Sequence, residues 1–157
     1  MVNFDWPFPG FLHIEHIGRI SGDQLMRSAL AMAGDERLDT THFILGDWSR
    51  YKHSKVDEED VKALIAVMKS VTHICPYAKN AVVIRPDRSG NALVAFYKML
   101  ADDLPWNIEI FHSFEEAFQW FDIPIPENLK GIQLSGIPYI PQSAQAGTEN
   151  KIEAKPH

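Results

Sequence analysis

Cysteine occurs only once in the 157 residues, at Cys75, so no disulfide can form within a chain and the sequence suits a reducing compartment. No apolar run approaches the roughly 18 residues that a membrane-crossing helix needs. The first ten residues lack a basic stretch followed by an apolar core, the pattern of an export signal. A cytoplasmic location is expected on these grounds. Clustered positive charge is also missing. Asp and Glu outnumber Lys and Arg by 21 to 15, a formal net charge of -6, and affinity for phosphate backbones rests on Lys and Arg, so no nucleic-acid partner is expected. The glycine-rich signatures of nucleotide-binding loops and the Gly-x-Ser-x-Gly elbow of hydrolases are absent too. No cofactor is expected.

What the chain does have is a rhythm of short apolar runs alternating with amphipathic stretches. Such alternation points to an α/β layer structure with a largely parallel sheet, whose ligand sites lie beyond the carboxyl ends of the strands. Residues 1–10, with Pro7 and Pro9, read as an extended N-terminal arm. Phe11 to Ile17 reads as the first strand, with Leu12, Ile14 and His16 on one face and His13 and Glu15 on the other. That alternation suits an edge strand, hairpinned with the arm. Ser21 and Gln24 form a capping box for a helix reaching about Gly34, whose Leu25, Ala29, Met32 and Ala33 would face the sheet. His42 to Asp47 is the second strand. Asp57 caps a second helix carrying Val61, Leu64, Ile65 and Met68 on one stripe. The unbroken apolar run ending at Ile84, begun by Asn80, suits a third strand buried on both faces.

Ser89 or Asn91 is expected to cap a third helix with Leu93, Phe96, Tyr97 and Leu100 as its stripe. Asn107 to Phe111 is the fourth strand. Ser113 and Glu116 repeat the capping box before a helix whose Phe114, Ala117, Phe118 and Phe121 belong to the core. Residues 122–157 lose the pattern and form an irregular extension. Its Ile132, Leu134, Ile137, Tyr139 and Ile140 would pack on the domain or on a second subunit, and its end from Gln142 is expected to be disordered. A homodimer, with this arm exchanged between protomers, is the expected assembly.

The order of these elements resembles the SpoIIAA-like proteins of the STAS fold. The segments that carry the resemblance are the strand leading into Gly18–Gln24, the strand Phe43–Asp47, and the closing stretch Ile110–Phe121 with its Glu-Ala pair and late Trp. The resemblance covers about Phe11 to Phe121. It implies a STAS-like domain over 11–121, with a four- to five-stranded, mostly parallel sheet and about four helices. It also implies a small cytoplasmic binding or signalling module without catalysis. In the anti-sigma-factor antagonists of that fold a serine within Asp-Ser-Ser-Gly is phosphorylated. The stretch from Asp47 to Asp57 lacks that motif, so Ser49 and Ser54 do not inherit the role.

The best local candidate for a ligand site is the loop from Arg85 to Asn91. Gly90 permits close approach, the helix start supplies free amides, and Arg85 and Arg88 add positive charge, with Ser89 and Asn91 beside them; these suit a small anion. An ordinary capped turn with solvated arginines is the plain alternative. Asp47, Trp48, Ser49 and His112 would complete a rim at the same end of the sheet, where Trp48 either stacks on a ligand or covers the sheet edge. The expected function is therefore binding of a protein partner or of a small anionic or amphipathic ligand. One alternative is an enzyme built on Asp47, Arg85 and His112. Another is lipid or acyl-chain binding, which requires an apolar cavity between helices and sheet. The seven histidines form no chelating pair by spacing, since His13 and His16 point to opposite faces of a strand and His73 and Cys75 follow a helix end. No metal site and no reactive thiol are expected.

Overall fold

The structure, a computed structural model, describes residues 1–134, apart from the side chains of Ser89, Asn91, Ala92 and Val94. Ile137, Tyr139, Ile140 and the tail from Gln142, for which packing and disorder were expected, lie outside the described residues. Strands β1 (Val2–Phe8), β2 (Phe11–His16), β4 (Phe43–Asp47), β6 (Lys79–Val83) and β7 (Asn107–Phe111) form one sheet in that order across it. All neighbours pair parallel except β1 with β2. Two short strands, β3 (Gly18–Ser21) and β5 (Tyr51–Lys55), pair parallel with each other beyond the main sheet.

The expected arm is thus the edge strand, and β2 is an inner strand rather than an edge. Pro7 is tolerated there because it falls where the register slips between Asp5 and Phe8, and an edge strand can spare an amide. Gly10, with φ of 82°, makes the tight turn back into β2. The other helix starts follow from local chemistry. Ser21 and Gln24 close a reciprocal cap on α1 (Gly22–Ala33), and Asp57 and Asp60 do the same for α2 (Glu58–Ile74). Neither Ser89 nor Asn91 caps α3 (Arg88–Asp103). That role falls to Asp87, which begins the loop's turn one residue ahead of the helix and whose carboxylate accepts from the Gly90 amide. Ser113 caps α4 (Phe114–Phe121) by accepting from the Glu116 amide at 3.2 Å.

Side chains of the inner strands alternate between two covered layers. On one face α1, α2 and α3 pack Leu25, Ala29, Leu64, Ile65 and Tyr97 against Leu12, Ile14, Ile44 and Val82. On the other, α4 packs Phe114, Ala117, Phe118 and Phe121 against Phe11, Leu45, Ala81 and Val83. Burial of β6 on both faces, expected from its apolar run, follows because β6 lies inside the sheet and helices cover both of its sides there. Leu134 joins the α4 layer, whereas Ile132 stays exposed. The short α4 covers only part of its face, and this leaves a polar cleft beside it.

Phe118 is 1% exposed and stacks on Phe11 at 5.5 Å between ring centres. Phe118→Ala should lower the unfolding free energy by about 3–5 kcal/mol, read by urea denaturation followed by circular dichroism. A loss below about 1 kcal/mol would mean that this layer collapses around the hole and is not closely packed.

Candidate functional site

Asp47, at the end of β4, sends its carboxylate to the α4 side of the sheet. His13 on β2 donates to its Oδ2 at 3.1 Å and the Ser49 amide to its Oδ1 at 2.9 Å. Burial alone would raise the Asp47 carboxyl, but these two donors outweigh it and hold the group below its ordinary value of 3.8. Glu15, opposite Asp47 in the β2–β4 register, pairs with Arg50. His13, Glu15 and Asp47 offer one nitrogen and two oxygen donors within 4.8 Å of one another, and they line a cleft of about 550 Å³ with Asn3 and Asp5. Such a set could hold a divalent cation. Spacing along one strand did not reveal it, because the third donor comes from the neighbouring strand. Each carboxylate also has a partner already, Glu15 the Arg50 guanidinium and Asp47 the His13 ring.

The next residue turns the other way. Trp48 is 2% exposed and so lies on no rim. Its ring stacks on His16 with centres 3.6 Å apart and 4° between planes, and its indole N–H donates to the Tyr97 hydroxyl at 2.8 Å. His16 Nδ1 donates to the Asp47 carbonyl at 3.3 Å. Burial lowers the His16 pKa from 6.5 to about 3, with the amino terminus and His13 adding to the effect and Asp47 opposing it. His16 is therefore neutral at physiological pH.

These three rings form one wall of a cavity between the sheet and α1, α2 and α3. The cavity measures about 70 Å³ and its described lining is mostly aliphatic and aromatic, with no Asp, Glu, Lys or Arg. A second hollow of about 200 Å³, walled in part by Tyr51, Ser54 and Leu93, shares Leu25, Trp48 and Phe96 with it. Leu25, Trp48 and Phe96 thus border both spaces. Among the residues that line the inner cavity is Asn80, 6% exposed, whose Oδ1 is buried without a hydrogen-bond partner. Asn80 was legible only as the first residue of an apolar strand. Its polarity in such a run was the one available signal.

The residues expected to act together are dispersed. Arg85 donates to the Tyr51 carbonyl at 2.7 Å and pairs with Asp87 at 3.2 Å. Gly90 is needed because a Cβ there would stand 2.0 Å from the Arg85 carbonyl oxygen, and its amide is engaged by Asp87. The anion expected at this helix start meets a carboxylate already in place. Arg88 is exposed, and the side chains of Ser89 and Asn91 are not among those described. His112 Nδ1 donates to the Ile84 carbonyl at 2.9 Å and lines a separate cleft with Ser113 and Glu115. Asp47, Arg85 and His112 thus each have their own partners. Cys75 is buried, and burial pushes its thiol up to about 11, which disfavours the thiolate.

No family model matches the chain, and no curated protein matches it in sequence. Solved structures similar to it in chain path include two of one protein. The anti-sigma factor antagonist SpoIIAA in its unphosphorylated form is 12% identical, with a TM-score of 0.49, over 84% of this chain and 100% of that one. The Bacillus cell fate determinant SpoIIAA in its phosphorylated form is 11% identical, with a TM-score of 0.48, over 77% of this chain and 99% of that one. No helix among the described residues is long and apolar enough to cross a membrane.

His16 makes stability pH-dependent with a definite sign. The unfolded chain takes up this proton near pH 6.5 and the folded protein only near pH 3, so acid favours unfolding in between. Stability from this group is full above the higher value and falls by about 1.4 kcal/mol per pH unit below it. Urea titrations across this range should give a slope shallower by about that amount in His16→Phe. An unchanged slope would mean that His16 protonates freely in the folded protein.

Proposed function

We propose that this protein is a non-catalytic binding domain whose ligand is a small, mainly apolar molecule held between the sheet and helices α1–α3. The observation that carries this reading is the carbon-lined cavity with its outer hollow beside Tyr51 and Ser54. Protein interiors are packed nearly as densely as organic crystals, so unfilled space of this size next to a buried aromatic wall calls for an occupant. The volume also limits what fits. Since about 10–15 Å³ of such space holds one water, the inner chamber takes roughly five to seven water-sized groups. That is a ring or a short chain, with more room in the outer hollow, and not a long acyl tail.

The wall favours the same class. His16 is neutral, no charged side chain is among the described lining, and the Tyr97 hydroxyl is engaged by Trp48. A formal charge in the inner chamber would lose its hydration without compensation. The dispersal of Asp47, Arg85 and His112 to separate partners supports binding over catalysis.

Thermal-shift measurements with small aromatic and medium-chain aliphatic compounds test this. A ligand that binds only the folded state, present at 100 times its Kd, adds about 2.7 kcal/mol and raises Tm by about 5–10 °C for a chain of this length. Ala29→Leu puts extra carbons into the chamber and should abolish the shift while leaving the fold intact by circular dichroism. If no such compound at millimolar concentration moves Tm, the space is an ordinary packing gap.

A further inference from the structure

Asp47 is a buried acid with no permanent positive charge bonded to it. Its side chain is 6% exposed, and the partners of its carboxylate are the His13 ring and the Ser49 amide. Buried charges are ordinarily paired with an opposite charge or bound to a metal. The surroundings converge on the same spot. Register places Asn3 of β1 beside Glu15 of β2 and Glu15 beside Asp47 of β4, with Asp5 beside His13. The cleft over this array is lined by three carboxylates, Asp5, Glu15 and Asp47, against the one guanidinium of Arg50. Such an excess of negative charge draws cations.

We infer that His13 Nε2, Asp47 Oδ2 and the Glu15 carboxylate bind one divalent transition-metal ion, with Zn²⁺ held most tightly, on the face of the sheet opposite the apolar cavity. The inference stands whether or not that cavity takes a ligand. Two ligands each about 2.0–2.2 Å from one ion are about 2.8–3.6 Å apart at octahedral or tetrahedral angles. His13 Nε2 and Asp47 Oδ2 are 3.1 Å apart. The ion takes the place of the hydrogen these two atoms share, and the neutral ring then carries its proton on Nδ1. The donor atoms of all three residues lie within 4.8 Å of one another, so Glu15 has a short way to swing once it leaves Arg50. The Arg50 side chain is 57% exposed, and ion pairs so open to water hold weakly. The Ser49 amide on Oδ1 keeps the Asp47 carboxylate oriented, as hydrogen bonds to metal ligands do. An imidazole in the set favours Zn²⁺ and its neighbours over Mg²⁺ and Ca²⁺, which prefer oxygen throughout. The remaining coordination positions face the cleft and take water.

Isothermal titration calorimetry of the full chain with zinc, magnesium and calcium chlorides tests the inference. One Zn²⁺ should bind per chain, more than about 10-fold more tightly than Mg²⁺ or Ca²⁺. His13→Ala and Glu15→Gln should each weaken Zn²⁺ by at least about 10-fold, since even an outer-shell partner is worth that much. Arg50→Ala, which frees Glu15, should tighten it by about 2- to 5-fold. In nuclear magnetic resonance spectra of wild type, Mn²⁺ below one equivalent should broaden the amide signals of His13, Glu15 and Ser49 before those of His53, His73 or His112. Zn²⁺ affinity unchanged in both His13→Ala and Glu15→Gln, or weaker in Arg50→Ala, would overturn the site. So would Mg²⁺ or Ca²⁺ binding as tightly as Zn²⁺, broadening centred on another histidine, or no heat with Zn²⁺ at millimolar concentration. The broadening is read on wild type and decides the matter even if His13→Ala folds poorly.

Discussion

Successive side chains of β4 and β6 must be buried in opposite directions, and most of the architecture follows from that constraint. Ile44 and Val82 need cover on one side, and Leu45, Ala81 and Val83 need it on the other. Three helices supply the first layer and one supplies the second. The imbalance has consequences on both faces. Where α4 runs out, the sheet meets solvent through His13, Glu15 and Asp47, with Glu15 paired to Arg50 and Asp47 hydrogen-bonded to His13. Where three helices converge, they do not quite close over the sheet, and the cavity is what is left between them.

The carboxyl end of β4 ties these two sides together. Asp47 turns its carboxylate to the polar cleft and its carbonyl to His16, while Trp48 turns inward onto the same His16 ring. One histidine therefore touches the backbone of one residue and the ring of the next. Its neutrality is a product of burial, and it keeps the cavity wall free of charge. The Trp48–Tyr97 hydrogen bond extends this wall onto α3. The same junction that closes the fold over the sheet end thereby sets the polarity of the hollow.

The Arg85–Gly90 loop illustrates how a motif can carry the right chemistry and use it internally. Glycine, arginine and free amides at a helix start are the ingredients of an anion site. Here Asp87 lies in the same turn, so the negative charge is supplied by the chain itself. The glycine is required by a close contact with backbone rather than by the approach of a ligand.

Much of the architecture was legible in the residues because it depends on short-range chemistry. Capping signals such as the Ser21–Gln24 box and the Asp57 N-cap, the stripes of α1, α2 and α4, and the two-sided run in β6 each declare themselves within a few positions. The local sequence misled where a near neighbour competed for a role, as Asp87 did with Ser89 and Asn91. It also misled over β2, placed at the sheet edge, because the arm that hairpins with it takes that edge itself, its Pro7 accommodated where the register slips. The candidate site was hardly legible at all. Asn80, His16, Trp48 and Tyr97 come from three strands or strand ends and a helix, and nothing in their spacing says that they meet. Periodicity determined which face of each element is apolar. Only the tertiary structure decided how completely those faces fit, because a cavity is the residue of packing between elements and belongs to no one segment of the chain.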